Sequence, residues 1–138
     1  MAVQIAKYYG AHVTAVCRER NFELVRSLGA DVVIDYTIDG YDEKLTTYDA
    51  VFDAAGNIDK RLARKHVAEH GKFSSVAGQG PVRERKEDLT FLNELFEAVR
   101  LTAVIDSVYP LKDIVAAHRY VDAGGKVGNV IVTVTQTN

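Results

Sequence analysis

Cysteine is nearly absent from this 138-residue chain. Cys17 stands alone, which excludes an internal disulfide and a cysteine-rich zinc site. An excess of one charge sign is missing too: 17 Lys and Arg stand against 19 Asp and Glu, a formal net charge of -2. That balance excludes a broadly basic nucleic-acid binder. No apolar run approaches the roughly 20 residues that a bilayer-spanning helix needs. The opening stretch MAVQIAKYYG has no long apolar segment and no cleavage site, so it does not read as a secretory signal. Repeats and low-complexity tracts are lacking. These absences lead to the expectation of a soluble protein in a reducing, cytoplasmic setting, with no membrane and no nucleic acid as partner. The remaining composition, 47% hydrophobic and 26% charged, is that of a globular chain long enough for one domain.

The hydrophobic pattern alternates between helix and strand. A helical spacing from Val3 is closed by Gly10. His12 to Cys17 is short and β-branched, a buried strand. Phe22, Leu24, Val25 and Leu28 recur at helical spacing; Asn21 is placed to cap that helix and Gly29 to stop it. Val32 to Ile34 reads as a second strand, and Tyr36 to Thr47 as a loop with a turn of helix. Ala50 to Asp53 is a third strand. Asp59 to Glu69 reads as a helix with a basic outer face. Lys72 to Val76 is a fourth strand, ended by Gly78 and Gly80. The run Arg83 to Asp88 reads as a solvated helix start, followed by Leu89, Leu92, Leu95, Phe96 and Val99 on one helical face. Val104 and Ile105 suggest strand, with Pro110 ending that piece. Leu111 to Val121 is amphipathic and broken by Gly124-Gly125, and Val127 to Thr135 is strongly β-prone. Short apolar strands alternating with helices suit a parallel α/β sheet of right-handed crossover units.

Several strings, taken in order, resemble the quinone-oxidoreductase-like branch of the medium-chain dehydrogenase/reductase superfamily, the zinc-type alcohol dehydrogenase-like proteins. They are AVQIAKYYGAHVTAVCRERNFELVRSLGAD, VIDYT, YDAVFDAAGN, GKFSSVAG, VIDSVYPL, AAHRYVDAGG and GNVIVTV. The resemblance covers nearly the whole chain. It implies an incomplete Rossmann-like, doubly wound and mostly parallel sheet that lacks its first strand and glycine-rich loop. Residues 1–100 correspond to part of the NADP(H)-binding domain. Residues 101–138 correspond to a strand-helix-strand segment that in relatives packs on the catalytic domain. The link between Gly80 and Leu89 is shorter than in relatives. A missing central strand leaves the edges of the strands at 12–17 and 50–53 unpaired, which is costly. Three repairs are expected: pairing of those two strands, insertion of a tail strand, or pairing with a partner chain.

The cofactor residues follow from the same resemblance. Arg18 and Arg20, after the first strand, stand where a 2′-phosphate is accommodated, which favours NADP(H) over NAD; the other reading is two solvated arginines. Glu19 between them could pair with either. Tyr36 matches a tyrosine near the adenosine phosphate, or is a half-exposed strand-end tyrosine. Ala54, Gly56, Asn57 and Gly78 fall at the carboxyl edge of the sheet, where ligands bind, although each glycine could serve only a turn. Asn129 matches a position near the nicotinamide, or is a turn residue before the last strand. Cys17 reads as a small buried residue. His12, His66, His70 and His118 share no ligand spacing, so no metal site and no catalytic residue is assigned. The implied function is the NADP(H)-binding portion of a quinone/enone or alcohol/aldehyde oxidoreductase, inactive alone, with cofactor binding weak or absent. The alternative is a non-catalytic interaction or oligomerisation module, with a homo-oligomer or a complementing chain as partner.

Overall fold

A computed structural model describes residues 1–77 and 85–134. They divide into two compact units, Ala2–Arg100 and Leu101–Asn138, the second together with Met1. In the first unit α1 (Ala2–Tyr8) leads to β1 (Thr14–Cys17), α2 (Phe22–Ser27) and β2 (Val32–Asp35). Then come β3 (Tyr48–Asp53), α3 (Lys60–Lys65), β4 (Val67–Ser75) and α4 (Lys86–Glu97). The second unit is β5 (Ile105–Pro110), α5 (Ile114–Asp122) and β6 (Asn129–Thr133). The architecture is α/β with parallel strands throughout, as the alternating pattern implied: β1 pairs with β2, β3 with β4 and β5 with β6, each in parallel.

Asp31 ties the start of the first unit together. Its carboxylate accepts from Lys7 Nζ at 2.9 Å and from the Val13 amide at 2.7 Å. Gly29 lets that junction close. It lies at φ +104°, and a Cβ there would sit 2.9 Å from Lys7 Cγ. Ala30, Ile34, Ala63 and Leu95 form the buried apolar set, and no large side chain is fully enclosed among the described residues.

Several expectations are corrected. The helix at 59–69 is shorter: Asp59 caps it by accepting from the Arg61 amide, but it stops at Lys65, and residues 67–70 are strand. Pairing decides this against the helical propensity of Ala68 and Glu69, because Val67 aligns with Tyr48 and the Tyr48 amide donates to the His66 carbonyl at 2.8 Å. Asn21 caps nothing with its side chain; it closes a short 3₁₀ turn before α2. The last strand is confined to Asn129–Thr133 among the described residues. Among the described residues β1 and β3 do not pair, and the strand partners are β1 with β2, β3 with β4 and β5 with β6. At one end the Tyr48 hydroxyl lies near Thr14, at the starts of β3 and β1. Farther along the same strands Val16 and Phe52 stay 43% and 53% exposed, a large exposure for strands of a parallel sheet.

Helix α4 ends on a strained residue. The Val99 amide donates to the Phe96 carbonyl and the Arg100 amide to the Leu95 carbonyl, a pairing that puts Val99 in the left-handed conformation where glycine is favoured. Val99 sits at φ 55° and is 81% exposed. Val99→Gly gives up almost no packing and relieves a β-branched residue held at positive φ. The expected outcome is a gain of about 1 kcal/mol in urea unfolding.

Candidate functional site

The register of β1 against β2 aligns Cys17 with Asp35, so the residues that follow each strand emerge side by side. Arg18 Nε donates to the Tyr36 hydroxyl at 2.8 Å, and the guanidinium carbon lies 5.9 Å from the ring centroid. Two residues 18 positions apart, named separately in the sequence, therefore form one group. The hydrogen bond to Tyr36 raises the Arg18 pKa further. One donor of the planar fork is used by the tyrosine. The remaining guanidinium N–H groups have no partner among the described residues, and five donors in a fixed fork suit a phosphate.

Asp35 fastens the two turns together. Its carboxylate accepts from the Thr37 amide at 2.8 Å, the Thr37 hydroxyl at 2.7 Å and the Glu19 amide at 3.2 Å. The Thr37 bonds, with that from Glu19, hold its carboxyl below the usual range. Glu19 forms no ion pair with Arg18 or Arg20 among the described residues, so neither cation is neutralised by its neighbour. Arg20 is exposed. Burial and the nearby Asp35 carboxylate push the Cys17 thiol up, which disfavours a nucleophilic thiolate.

The second group lies where β3 and β4 end, with Asp53 aligned on Ser75. Asp53 is 7% exposed and Ser75 5%. Asp53 Oδ1 accepts from the Ala55 and Gly56 amides at 3.1 and 2.8 Å, and Oδ2 from the Ser75 hydroxyl at 2.8 Å and the Ile58 amide at 3.4 Å. Ser75 Oγ in turn accepts from the Ala77 amide at 3.1 Å. Ala54, Gly56 and Asn57 are thus on one loop wound round a buried carboxylate, with Ala54 and Asn57 exposed. Gly78 lies outside the described residues. Sequence reading placed Asp53 only as a strand end and missed Ser75. The available signal was an aspartate followed by Ala-Ala-Gly, the spacing at which a carboxylate accepts from amides two and three residues on.

Asn129 belongs to the second unit. Its amide and its side-chain Nδ2 both donate to the Val104 carbonyl, at 2.8 and 3.1 Å, so it secures the start of β6. A shallow hollow on α4, lined by Lys86, Glu87, Thr90, Phe91 and Glu94, shares no residue with either group. Of the run at 83–88, residues 83 and 84 lie outside the described residues; Arg85 forms an exposed ion pair with Asp88 at 2.6 Å.

Comparison with known proteins matches residues 1–105 to a family described as zinc-binding dehydrogenase. An Arabidopsis thaliana protein named as a chloroplastic NADPH-dependent alkenal/one oxidoreductase is 34% identical over 96% of this chain and 36% of its own length. A Triphysaria versicolor chloroplastic quinone-oxidoreductase is 34% identical over 95% of this chain and 47% of its own. The chain therefore spans less than half the length of these relatives. Among solved structures, a thermostable alcohol dehydrogenase from Pyrobaculum aerophilum with cobalt and zinc bound superposes with a TM-score of 0.78 at 25% identity, covering 96% of this chain and 46% of that one. A quinone oxidoreductase from Coxiella burnetii superposes at 0.73 with 22% identity, covering 97% and 48%, a likeness of fold.

The zinc in that family's description finds no fit here. Among the described residues no three His, Cys, Asp or Glu side chains gather as a metal site would require. His12, His66, His70 and His118 sit on separate segments, and the ring of His66 is engaged with the Thr46 carbonyl at 3.0 Å. No helix among the described residues is long and apolar enough to cross a membrane.

Proposed function

We propose a function from one premise: the chain belongs to the zinc-binding dehydrogenase family. It supplies the NADP(H)-binding portion of an oxidoreductase that passes hydride between that cofactor and a quinone or enone. The single observation that carries the reading is the Arg18–Tyr36 pair, a guanidinium aimed by a tyrosine at the end of β1. In a doubly wound sheet this edge receives the adenosine ribose, and an arginine there takes a 2′-phosphate. Arg20 adds a second exposed cation. Ala54, Gly56 and Asn57, on the loop after β3, complete the proposed set, with Gly78 by its position in sequence. Asn129 has its side-chain oxygen and one N–H of its NH₂ left for a ligand. When bound, NADPH supplies the hydride; the chain's own residues bind and orient it.

Exposed arginines give ion pairs that water and salt weaken, so binding by these residues is weak. Hydride transfer also needs a substrate held against the nicotinamide. The test is a titration of isotope-labelled chain followed by NMR. Adenosine 2′-phosphate at millimolar concentration should shift the amides of Arg18, Arg20 and Tyr36, and adenosine should not. Arg18→Ala should weaken the phosphate's effect about fivefold. Equal shifts from both ligands sink the reading.

A second reading, an interaction module completed by a homo-oligomer or a complementing chain, has its own observation. Among the described residues β1 and β3 each pair with one strand, and Val16 and Phe52 are exposed, as strand addition requires. Diffusion measurements on the same samples separate the two: a mass of one chain removes the homo-oligomer.

A further inference from the structure

We infer that Asp53 and Ser75 are positioning residues, a buried carboxylate–hydroxyl pair that fastens the loops after β3 and β4 into one preset surface for the second nucleotide half of the cofactor. The inference rests on the NADP(H) reading for its ligand and on hydrogen-bond geometry for its mechanism. A loop of successive amides at a strand end is a ready trap for an anion. Here the trap is already filled from within: Asp53 takes the amides of Ala55, Gly56 and Ile58. Those three amides are no longer available to a phosphate. Residue 57 is passed over, and the exposed Asn57 side chain has no hydrogen-bond partner among the described residues. The loop therefore offers a neutral face with one free polar group, chemistry suited to a ribose or a carboxamide.

Ser75 joins that loop to its neighbour. Its hydroxyl donates to Asp53 and accepts from the Ala77 amide. Packing reinforces the joint. Gly56 lies at φ +76°, and a Cβ there would come within 3.2 Å of both Val76 Cγ2 and Ala77 Cβ. Val76 and Ala77 are therefore held against the loop after β3. Ser75→Ala is selective, because Asp53 keeps three bonds within its own loop and its carbonyl keeps the Val76 amide, while the side-chain link to the second loop is cut.

Amide hydrogen exchange on the full chain tests the link without any ligand. Ser75→Ala should raise exchange about tenfold at Ala55 and Gly56 as well as at Ala77, and Ser75→Thr, which keeps the hydroxyl, should restore it. A change confined to Ala77 overturns the inference. NADPH titration by NMR tests the use. In the unsubstituted chain NADPH should shift Asn57 as well as Arg18 and Tyr36. In Ser75→Ala the Asn57 shift should shrink severalfold, while the response of Arg18 to adenosine 2′-phosphate stays unchanged. An undiminished Asn57 shift overturns the positioning role. Absence of any shift at Arg18 in the unsubstituted chain refutes the cofactor reading instead, and the exchange result still decides whether the pair couples the loops.

Discussion

Asp53→Ala should lower the midpoint of thermal unfolding by about 10 °C or more. The side chain is small and polar, yet its carboxylate is the common acceptor for three amides and a hydroxyl. Alanine leaves four donors with no acceptor at a buried position, and the cost of unpaired buried groups exceeds the modest net gain of making each bond. Asp53→Asn should fall between, since its oxygen can serve part of the set while its NH₂ faces donors. Thermal melts followed by circular dichroism check the order; a midpoint for Asp53→Ala within 2 °C of the parent refutes it.

The same residue gives a pH signature with a definite sign. Burial by itself pushes the Asp53 carboxyl up, but the bonds from Ser75 and from the amides of Gly56, Ile58 and Ala55 outweigh it, and the net displacement is below the ordinary 3.8. A carboxyl whose folded value is depressed contributes stability above its unfolded value and loses it as pH falls through the folded one. The gap between the parent and Asp53→Ala should therefore be full near neutrality and narrow below about pH 4.

The second large effect belongs to the other unit. Gly128 lies at φ +107°, and an added Cβ would stand 2.5 Å from the Val104 carbonyl oxygen and 2.7 Å from Val104 Cγ1. Both the conformation and the space are denied to any other residue. The carbonyl in question also receives the Asn129 amide, the first bond that carries the chain into β6. Gly128→Ala should cost about 3 kcal/mol or more in the unit formed by β5, α5 and β6. Hydrogen exchange at Val130 and Val132 provides the measurement, and protection equal to the parent's would contradict the prediction.

How far the sequence reaches can be seen residue by residue. The strands at 14–17 and 32–35 and the stop at Gly29 are legible because they rest on local causes: β-branched runs and a position that needs positive φ. Arg18 and Tyr36 were legible as separate positions, each just past a strand, but not as a pair. The first four residues of β4 were not legible, because Ala68 and Glu69 favour helix when judged alone and only the partner strand overrules them. Asp53 was underrated for a similar reason. Its burial depends on Ser75, 22 residues away.

By itself, then, the sequence determined the α/β class and the parallel pairing of its strands. Those follow from periodicity, turn chemistry and a chain of recognisable strings. Tertiary structure alone decided that β1 and β3 do not pair among the described residues, that Arg18 takes Tyr36 rather than Glu19 as its partner, and that the Asp53 carboxylate fills the loop after β3. Each of those outcomes is a choice of partner between groups distant in sequence. Such choices depend on which backbone edges and donors the folded chain brings within hydrogen-bond reach, and local pattern carries no record of them.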